Sequence, residues 1–161
     1  MKTKKLTFES NSSSSHSIYV ANGCKRDVSP FRLNNEGVIE ICCSEFGWEW
    51  ETYHDAESKA AYLATRIINL TKFNNENREK CLAIKELFLN SIAKYCNCDI
   101  NQVEITPYKE KGWNGKPDWG YIDHQSVDCA DEVLEMGENG ILDFIFCSAS
   151  SLETGNDNDS D

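Results

Sequence analysis

The sequence predicts an α+β fold, in which a mainly antiparallel sheet packs against two central helices and one short C-terminal helix. Three observations support this prediction. Short β-branched or alternating segments occupy both ends of the chain, two longer segments with helical periodicity lie between them, and 161 residues suit one hydrophobic core. We therefore expect a single domain spanning residues 1–161, with a polar, acidic tail at residues 148–161.

The first third of the chain is predicted to form strands. Residues 4–8 and 16–20 are typical of short strands on either side of a polar loop, and residues 38–43 are apolar and β-branched. Residues 45–53 alternate, which predicts a strand with one buried face that pairs with residues 38–43. The aromatic residues on that face are Phe46, Trp48 and Trp50.

Two helices are predicted in the middle of the chain. Apolar residues recur at steps of three and four over residues 55–71 and again over residues 76–95, which is the spacing of one helix face. Asp55 is placed to cap the first helix, because a carboxylate there can accept free N–H groups of the first turn. The second apolar face consists of Cys81, Ile84, Leu87, Phe88, Ile92 and Tyr95.

The last third is predicted to contain strands around one short helix. Strands are expected at residues 102–106, 120–123 and 141–147. Residues 109–119, with two tryptophans, are expected to form an ordered loop. Ser126 is expected to cap a helix at residues 127–136, which Asn139 and Gly140 would then end.

The charge is unevenly distributed along the chain. The net charge is −11, yet residues 1–116 hold 16 basic and 15 acidic side chains, whereas the last 45 residues hold 12 acidic side chains and no Lys or Arg. Such a surface repels phosphate backbones and attracts basic partners, which argues against direct nucleic-acid binding. It also has a plain interpretation as a solvated face that aids solubility.

Other sequence features bear on location and cofactors. No apolar run is long enough to span a membrane, and the polar residues 7–17 do not fit a secretory signal, so we expect a cytoplasmic protein. The eight cysteines include no C-x-x-C pair. We therefore expect reduced, mostly buried thiols, no metal site and no cofactor.

Three polar segments contain residues suited to ligand binding. Residues 10–17 place small polar residues in succession, so that backbone N–H groups and hydroxyls can surround an anion. Residues 121–126 leave a strand and enter a helix, where Asp123 can orient the imidazole of His124. Residues 150–158 offer Asn and Asp oxygens beside a glycine turn. Their plain interpretations are a serine linker, a helix cap and a frayed terminus.

These segments would form a site only if the fold brought them together. In that case His124 or His16 would act as general base, and a serine hydroxyl would act as nucleophile or ligand. The catalytic candidates are Asp123, His124 and Ser126. The ligand-binding candidates are Asn11, Ser12, Ser13, Ser14, Ser15, Asn156 and Asp157.

The same segments carry a resemblance. The runs SNSSSS (Ser10–Ser15), IDHQS (Ile122–Ser126) and TGNDN (Thr154–Asn158) occur in this order. Together they resemble a group of small uncharacterised proteins of bacteriophages and mobile elements. The resemblance covers both ends of the chain and residues 122–126, but not the predicted helices. It implies a viral or prophage gene context in bacteria and brings no activity with it.

Two hypotheses follow. In the first, the chain is a phage-type accessory protein that binds and inhibits a bacterial host enzyme, as anti-CRISPR proteins do, by covering a nucleic-acid-binding site with its acidic surface. Its partner-binding residues would be Asp128, Asp131, Glu132, Glu135, Trp113 and Trp119. In the second, it is a small enzyme or ligand-binding domain for a nucleotide or phosphorylated compound, with a site made by the three polar segments. The distances between those segments in the fold discriminate between the two.

Overall fold

The computed structural model describes residues 2–9, 14–73, 77–123 and 128–156. Within them the chain forms eight strands and four α-helices, which confirms the α+β class. The strands are β1 (Lys2–Glu9), β2 (Ser14–Asn22), β3 (Ile39–Cys42), β4 (Glu45–Phe46), β5 (Glu51–Tyr53), β6 (Val103–Thr106), β7 (Tyr121–Ile122) and β8 (Ser151–Asn156). The helices are α1 (Ala56–Phe73), α2 (Arg78–Tyr95), α3 (Asp128–Glu135) and α4 (Gly137–Phe146).

The largest sheet is antiparallel, with the strand order β1-β2-β8-β5. β8 lies inside this sheet, because it pairs with β2 on one side and with β5 on the other. Of residues 151–155, Glu153 alone is exposed, so both faces of β8 are largely covered. Within the segment predicted as a polar, acidic tail, residues 151–156 form this central strand.

Two short parallel pairs, β3 with β6 and β4 with β7, complete the β structure of the described residues. The single strand predicted over residues 45–53 is wrong, because Gly47 interrupts it with a φ of +108°, a conformation that favours glycine. Trp48 and Trp50 are 56% and 59% exposed, so Phe46 alone of the three aromatic residues is buried. β3 pairs with β6 and not with this segment.

The two long helices lie where the periodicity predicts them. α1 begins directly after Asp55, whose Oδ2 accepts the N–H of Ser58 at 2.8 Å and so caps the helix. α1 contacts each of the other three helices as well as β3 and β7, which places it at the centre of the core. Among the described residues, no helix combines the length and hydrophobicity that a membrane span requires.

The chain after residue 128 forms two helices where the sequence predicts one helix and a strand. The chain turns at Met136 between α3 and α4, where Gly137, the first residue of α4, has a φ of +79°, and the predicted stop at Asn139 and Gly140 lies inside α4. The predicted strand at residues 141–147 is also wrong, because residues 141–146 belong to α4. α4 contacts α1, α2, α3 and β2, and a helix buried on all sides has the same continuous apolar run as a buried strand.

Lys59 and a disulfide hold the turn between α4 and β8. Lys59 is 0% exposed, and its Nζ donates to the carbonyl oxygens of Cys147 at 2.8 Å and Ser150 at 3.0 Å. Burial lowers the pKa of Lys59 to about 8. Cys147 also forms a disulfide with Cys24, which lies just beyond the end of β2. This disulfide corrects the expectation that the thiols are all reduced.

Candidate functional site

Backbone pairing brings the first and third polar segments together. In the antiparallel pair of β2 and β8, Ser14 lies opposite Asn156, Ser15 opposite Gly155, and His16 opposite Thr154. The end of the serine run and the start of the TGNDN run are therefore cross-strand neighbours. The sequence contains both segments but gives no sign that they pair, because they are separated by most of the chain.

The second polar segment reaches the same place through a different pair of strands. β4 and β7 run parallel, so the residues that follow them, Gly47 and Asp123, leave at the same end. A Cβ atom placed on Gly47 would lie 3.1 Å from Nε2 of His16 and 3.3 Å from Cβ of Asp123. His16, Gly47 and Asp123 thus meet at one point, although they come from three distant parts of the chain.

His16 is the most unusual residue of this cluster. It is 1% exposed, its Nδ1 lies 3.0 Å from the hydroxyl of Tyr62, and its buried Nε2 has no hydrogen-bond partner among the described residues. Burial lowers its pKa to about 4, although the nearby carboxylate of Asp123 opposes that shift. The imidazole is therefore neutral at pH 7. Buried polar atoms normally have a partner, so an unpartnered nitrogen here points to a water or a ligand.

Two residues that the sequence analysis missed hold His16 in place. Tyr62, on the buried face of α1, contacts the imidazole from one side and packs edge-on against Phe46, with 5.1 Å between the ring centroids. Cys129, at the start of α3, directs its Sγ to the carbonyl oxygen of His16 at 3.4 Å. Both look like ordinary core residues in the sequence, so only the fold reveals their role.

A cleft opens beside this cluster. It has a volume of about 220 Å³, and a neighbouring cavity of about 440 Å³ shares Tyr53 and Tyr108 with it. The residues lining the smaller space are Glu45, Gly47, Trp48, Glu49, Glu51, Tyr53, Tyr108 and Thr154. Thr154 links the cleft to the sheet, because its hydroxyl donates to the Glu49 carbonyl at 3.3 Å and its backbone lies opposite His16.

The two exposed tryptophans of residues 45–53 flank this region. The ring of Trp48 stacks on Tyr121 with the centroids 6.0 Å apart. The ring of Trp50 covers Gly155 so closely that a Cβ there would lie 2.3 Å from the ring carbons. The glycine of the TGNDN run is therefore needed for packing against Trp50. The exposure of Trp48 and Trp50 contradicts the prediction that they face the core. It leaves both rings accessible beside the cleft.

Several predicted site residues cannot be placed. Asn11, Ser12, Ser13, His124, Ser126 and Asp157 lie outside the described residues, as do the side chains of Ser14, Ser15, Asp128 and Asn156. Of the catalytic candidates, Asp123 alone is described, and it lies near His16, the other histidine that the sequence offers as a base. In the described part of the chain, no group of three His, Cys, Asp or Glu residues is arranged to hold a metal ion.

The residues predicted to bind a partner differ in exposure and pairing where the structure describes them. Asp131 makes a two-pronged ion pair with Arg66, with N–O distances of 2.7 and 2.9 Å, so that its charge is already compensated. Glu135 is exposed and Glu132 half-buried. Trp113 is 100% exposed, whereas Trp119 is half-buried under the ammonium of Lys72, which lies 3.7 Å from its ring centroid.

Comparison with known proteins identifies no relative. No protein-family model, curated protein or solved structure matches the chain. The functional interpretation of this chain therefore depends on the residues and contacts of the cluster itself. Of that cluster, Gly47 carries the clearest signal in the sequence, since an isolated glycine within an alternating segment marks a bulge or a close backbone approach.

Proposed function

We propose that this protein is a small ligand-binding domain, and that its site is the cleft beside His16, Gly47 and Asp123. The observation that carries the proposal is the buried Nε2 of His16, which has no partner among the described residues and faces Gly47, a residue that lines the cleft. The meeting of all three polar segments near this atom supports the same conclusion.

The site has the composition expected of a ligand site. Binding clefts combine apolar and aromatic walls with a few polar groups that fix orientation. Here Trp48, Tyr53 and Tyr108 supply the aromatic surface, while Thr154 and the glutamates supply polar groups. With its proton on Nδ1, donated to the Tyr62 oxygen, His16 leaves the lone pair of Nε2 free to accept a hydrogen bond. This tautomer is the one that the proposal requires.

Binding to a defined panel tests this proposal. We would titrate AMP, ATP, glucose and n-butylammonium into the full chain and follow the heat of binding and the tryptophan fluorescence. At least one compound should bind saturably and raise the unfolding temperature. Gly47→Ala should weaken that binding at least about tenfold, because the added Cβ would occupy the space beside Nε2.

Two variants separate blockage of the cleft from damage to the fold. Gly37→Ala places the same methyl on another glycine of positive φ (+77°), where no described atom beyond its chain neighbours lies within 4 Å, so this variant should bind normally. Trp48→Ala removes an exposed wall of the cleft and should weaken binding without loss of secondary structure. Failure of every compound to bind, or equal binding by the Gly47→Ala and Gly37→Ala variants, would contradict the proposal.

A second candidate function is the phage-type accessory protein that inhibits a host enzyme in the bacterial cytoplasm. One observation favours it: Trp113 is fully exposed within residues 109–118, where Lys109 and Asp118 pair through their backbones. Exposed tryptophans are frequent anchors of protein interfaces. Because Asp131 is paired with Arg66, the acidic part of such an interface would centre on Glu135.

Affinity capture from a bacterial lysate tests this second candidate. A basic host enzyme retained by the wild-type chain should be lost with the double variant Trp113→Ala/Glu135→Lys. It should be retained by Glu79→Lys, which reverses an exposed charge at the start of α2. Equal retention by all three chains would eliminate this surface as the interface.

A further inference from the structure

The cleft beside His16 is unusually rich in carboxylates. Glu45, Glu49 and Glu51 line it, and all three are exposed. The neighbouring cavity adds Glu40 and Glu57. Among the described residues that line either space there is no Lys, Arg or His. The cleft is therefore a region of negative potential on a chain whose first 116 residues are nearly neutral.

The aromatic residues of the cleft add a second source of attraction for cations. Trp48, Tyr53 and Tyr108 line it, and the face of an aromatic ring carries negative charge that attracts cations. The ring of Tyr108 already attracts one, since Nζ of Lys109 lies 5.1 Å from its centroid. The hydroxyl of Tyr53 donates to the Glu51 carboxylate, so that the tyrosine and this glutamate form one unit.

We infer that the ligand of this cleft is a small organic cation, a protonated amine in particular. This inference rests on the proposed function and specifies its ligand class. The ammonium would lie between Glu45 and Glu49 and the aromatic faces, and its N–H groups would find acceptors in the carboxylates. The buried Nε2 of His16, which has no hydrogen-bond partner among the described residues, lies directly behind Gly47 of the cleft lining.

The same arrangement disfavours the phosphorylated ligand expected from the sequence. Phosphate groups bind to Lys, Arg or converging N–H groups, and the described lining supplies carboxylates instead. A phosphate placed between Glu45 and Glu49 would meet like charges, and no Lys, Arg or His among the described lining residues would compensate them. A nucleotide is therefore an alternative outcome of the experiment below and not part of the inference.

A matched pair of probes tests the role of the charge. n-Butylammonium and n-butanol have nearly the same shape, but only the first carries a positive charge. Titration of the full ¹⁵N-labelled chain, followed by ¹H–¹⁵N correlation spectra, should show saturable shifts for n-butylammonium at Gly47, Trp48, Tyr108 and Thr154. n-Butanol at the same concentrations should leave these resonances in place.

Two double variants test whether the cleft, and not the net charge, attracts the probe. Glu45→Gln/Glu49→Gln should weaken n-butylammonium binding about tenfold, whereas Glu79→Gln/Glu86→Gln, which removes the same charge from exposed positions of α2, should change it less than about twofold. Glu51 is left unchanged because it holds Tyr53. Equal weakening by both variants, or equal binding of n-butanol, would overturn the inference.

The responses to the four compounds distinguish a wrong ligand class from a wrong site. If AMP, ATP or glucose shifts Gly47 and Thr154 while n-butylammonium does not, the cleft is a ligand site and the cationic class is wrong. If none of the four compounds shifts these resonances, both the inference and the proposed function are wrong.

Discussion

Replacing His16 with glutamine should remove the contribution of one buried imidazole to the acid sensitivity of this protein. The imidazole is buried and neutral, with a pKa lowered from 6.5 to about 4. Once the protein unfolds, the same group has its usual pKa and takes up a proton more readily. His16 therefore contributes stability that is present above pH 6.5 and is lost as the pH falls toward 4.

The size of this effect follows from the two pKa values. One pH unit corresponds to about 1.36 kcal/mol for a single proton, so the loss approaches about 3 kcal/mol over the whole interval. Between pH 7 and pH 5 the expected loss is about 2 kcal/mol. The amide of a glutamine side chain cannot titrate, so the His16→Gln variant should lack this component even if its stability at pH 7 is lower.

Urea unfolding at pH 7, 6 and 5 measures the difference. The free energies of unfolding of both proteins are obtained from tryptophan fluorescence and far-UV circular dichroism, and only their changes with pH are compared. Carboxylates that titrate in the same range contribute to both proteins and cancel. Parallel pH profiles for wild type and His16→Gln would refute the burial and neutrality of His16.

Four further substitutions test contacts elsewhere in the fold, each by urea unfolding at pH 7. Lys59→Ala should lower the free energy of unfolding by about 2–4 kcal/mol, because it leaves a cavity and removes a charged donor from two carbonyl groups; a loss below 0.5 kcal/mol, roughly that of an exposed substitution, would contradict this. Gly120→Ala should lower the free energy of unfolding by about 3 kcal/mol or more, since the added Cβ would lie 2.1 Å from the Ser44 carbonyl oxygen. Gly37→Ala, with open space around it, should cost only about 1 kcal/mol, and equal losses for the two glycines would disprove the close approach. Trp113→Ala should change stability by less than about 0.5 kcal/mol, and a larger loss would mean that its ring is packed in solution.

The central part of the fold could be predicted because its signals are local. The apolar spacing over residues 55–71 and 76–95 matches α1 and α2 within a few residues, and the Asp55 cap is present. The β-branched residues 38–43 and the segment 102–106 likewise contain strands. In each case the residues that determine the element lie within it, so no knowledge of distant contacts is needed.

The C-terminal elements could not be predicted, because their surroundings determine them. Residues 141–146 are buried on all sides of α4 and show no helical period. Residues 151–156 are polar, yet they form a central strand since β2 and β5 supply hydrogen bonds on both sides. The polar composition of residues 151–156 suggests that they are exposed to solvent, whereas pairing with β2 and β5 makes them a central strand.

The candidate site was predictable in its parts but not in its assembly. The sequence offers His16, Asp123 and the serine run as polar residues, but their proximity depends on the pairing of β2 with β8 and β4 with β7. Gly47 is visible as a glycine in an alternating segment, although its closeness to His16 is not. The three glutamates between residues 45 and 51 look like a solvated strand face until the fold places them around a cleft.

The ¹⁵N chemical shifts of the His16 imidazole test the proposed site most directly. A long-range ¹H–¹⁵N correlation spectrum at pH 7 reports which ring nitrogen carries the proton, and His16→Gln assigns the signals among the three histidines of the chain. We predict a neutral ring protonated on Nδ1, with an Nε2 signal that shifts saturably when n-butylammonium is added. A ring that titrates near its usual pKa of 6.5, or an Nε2 signal that no compound of the panel moves, would contradict the proposal.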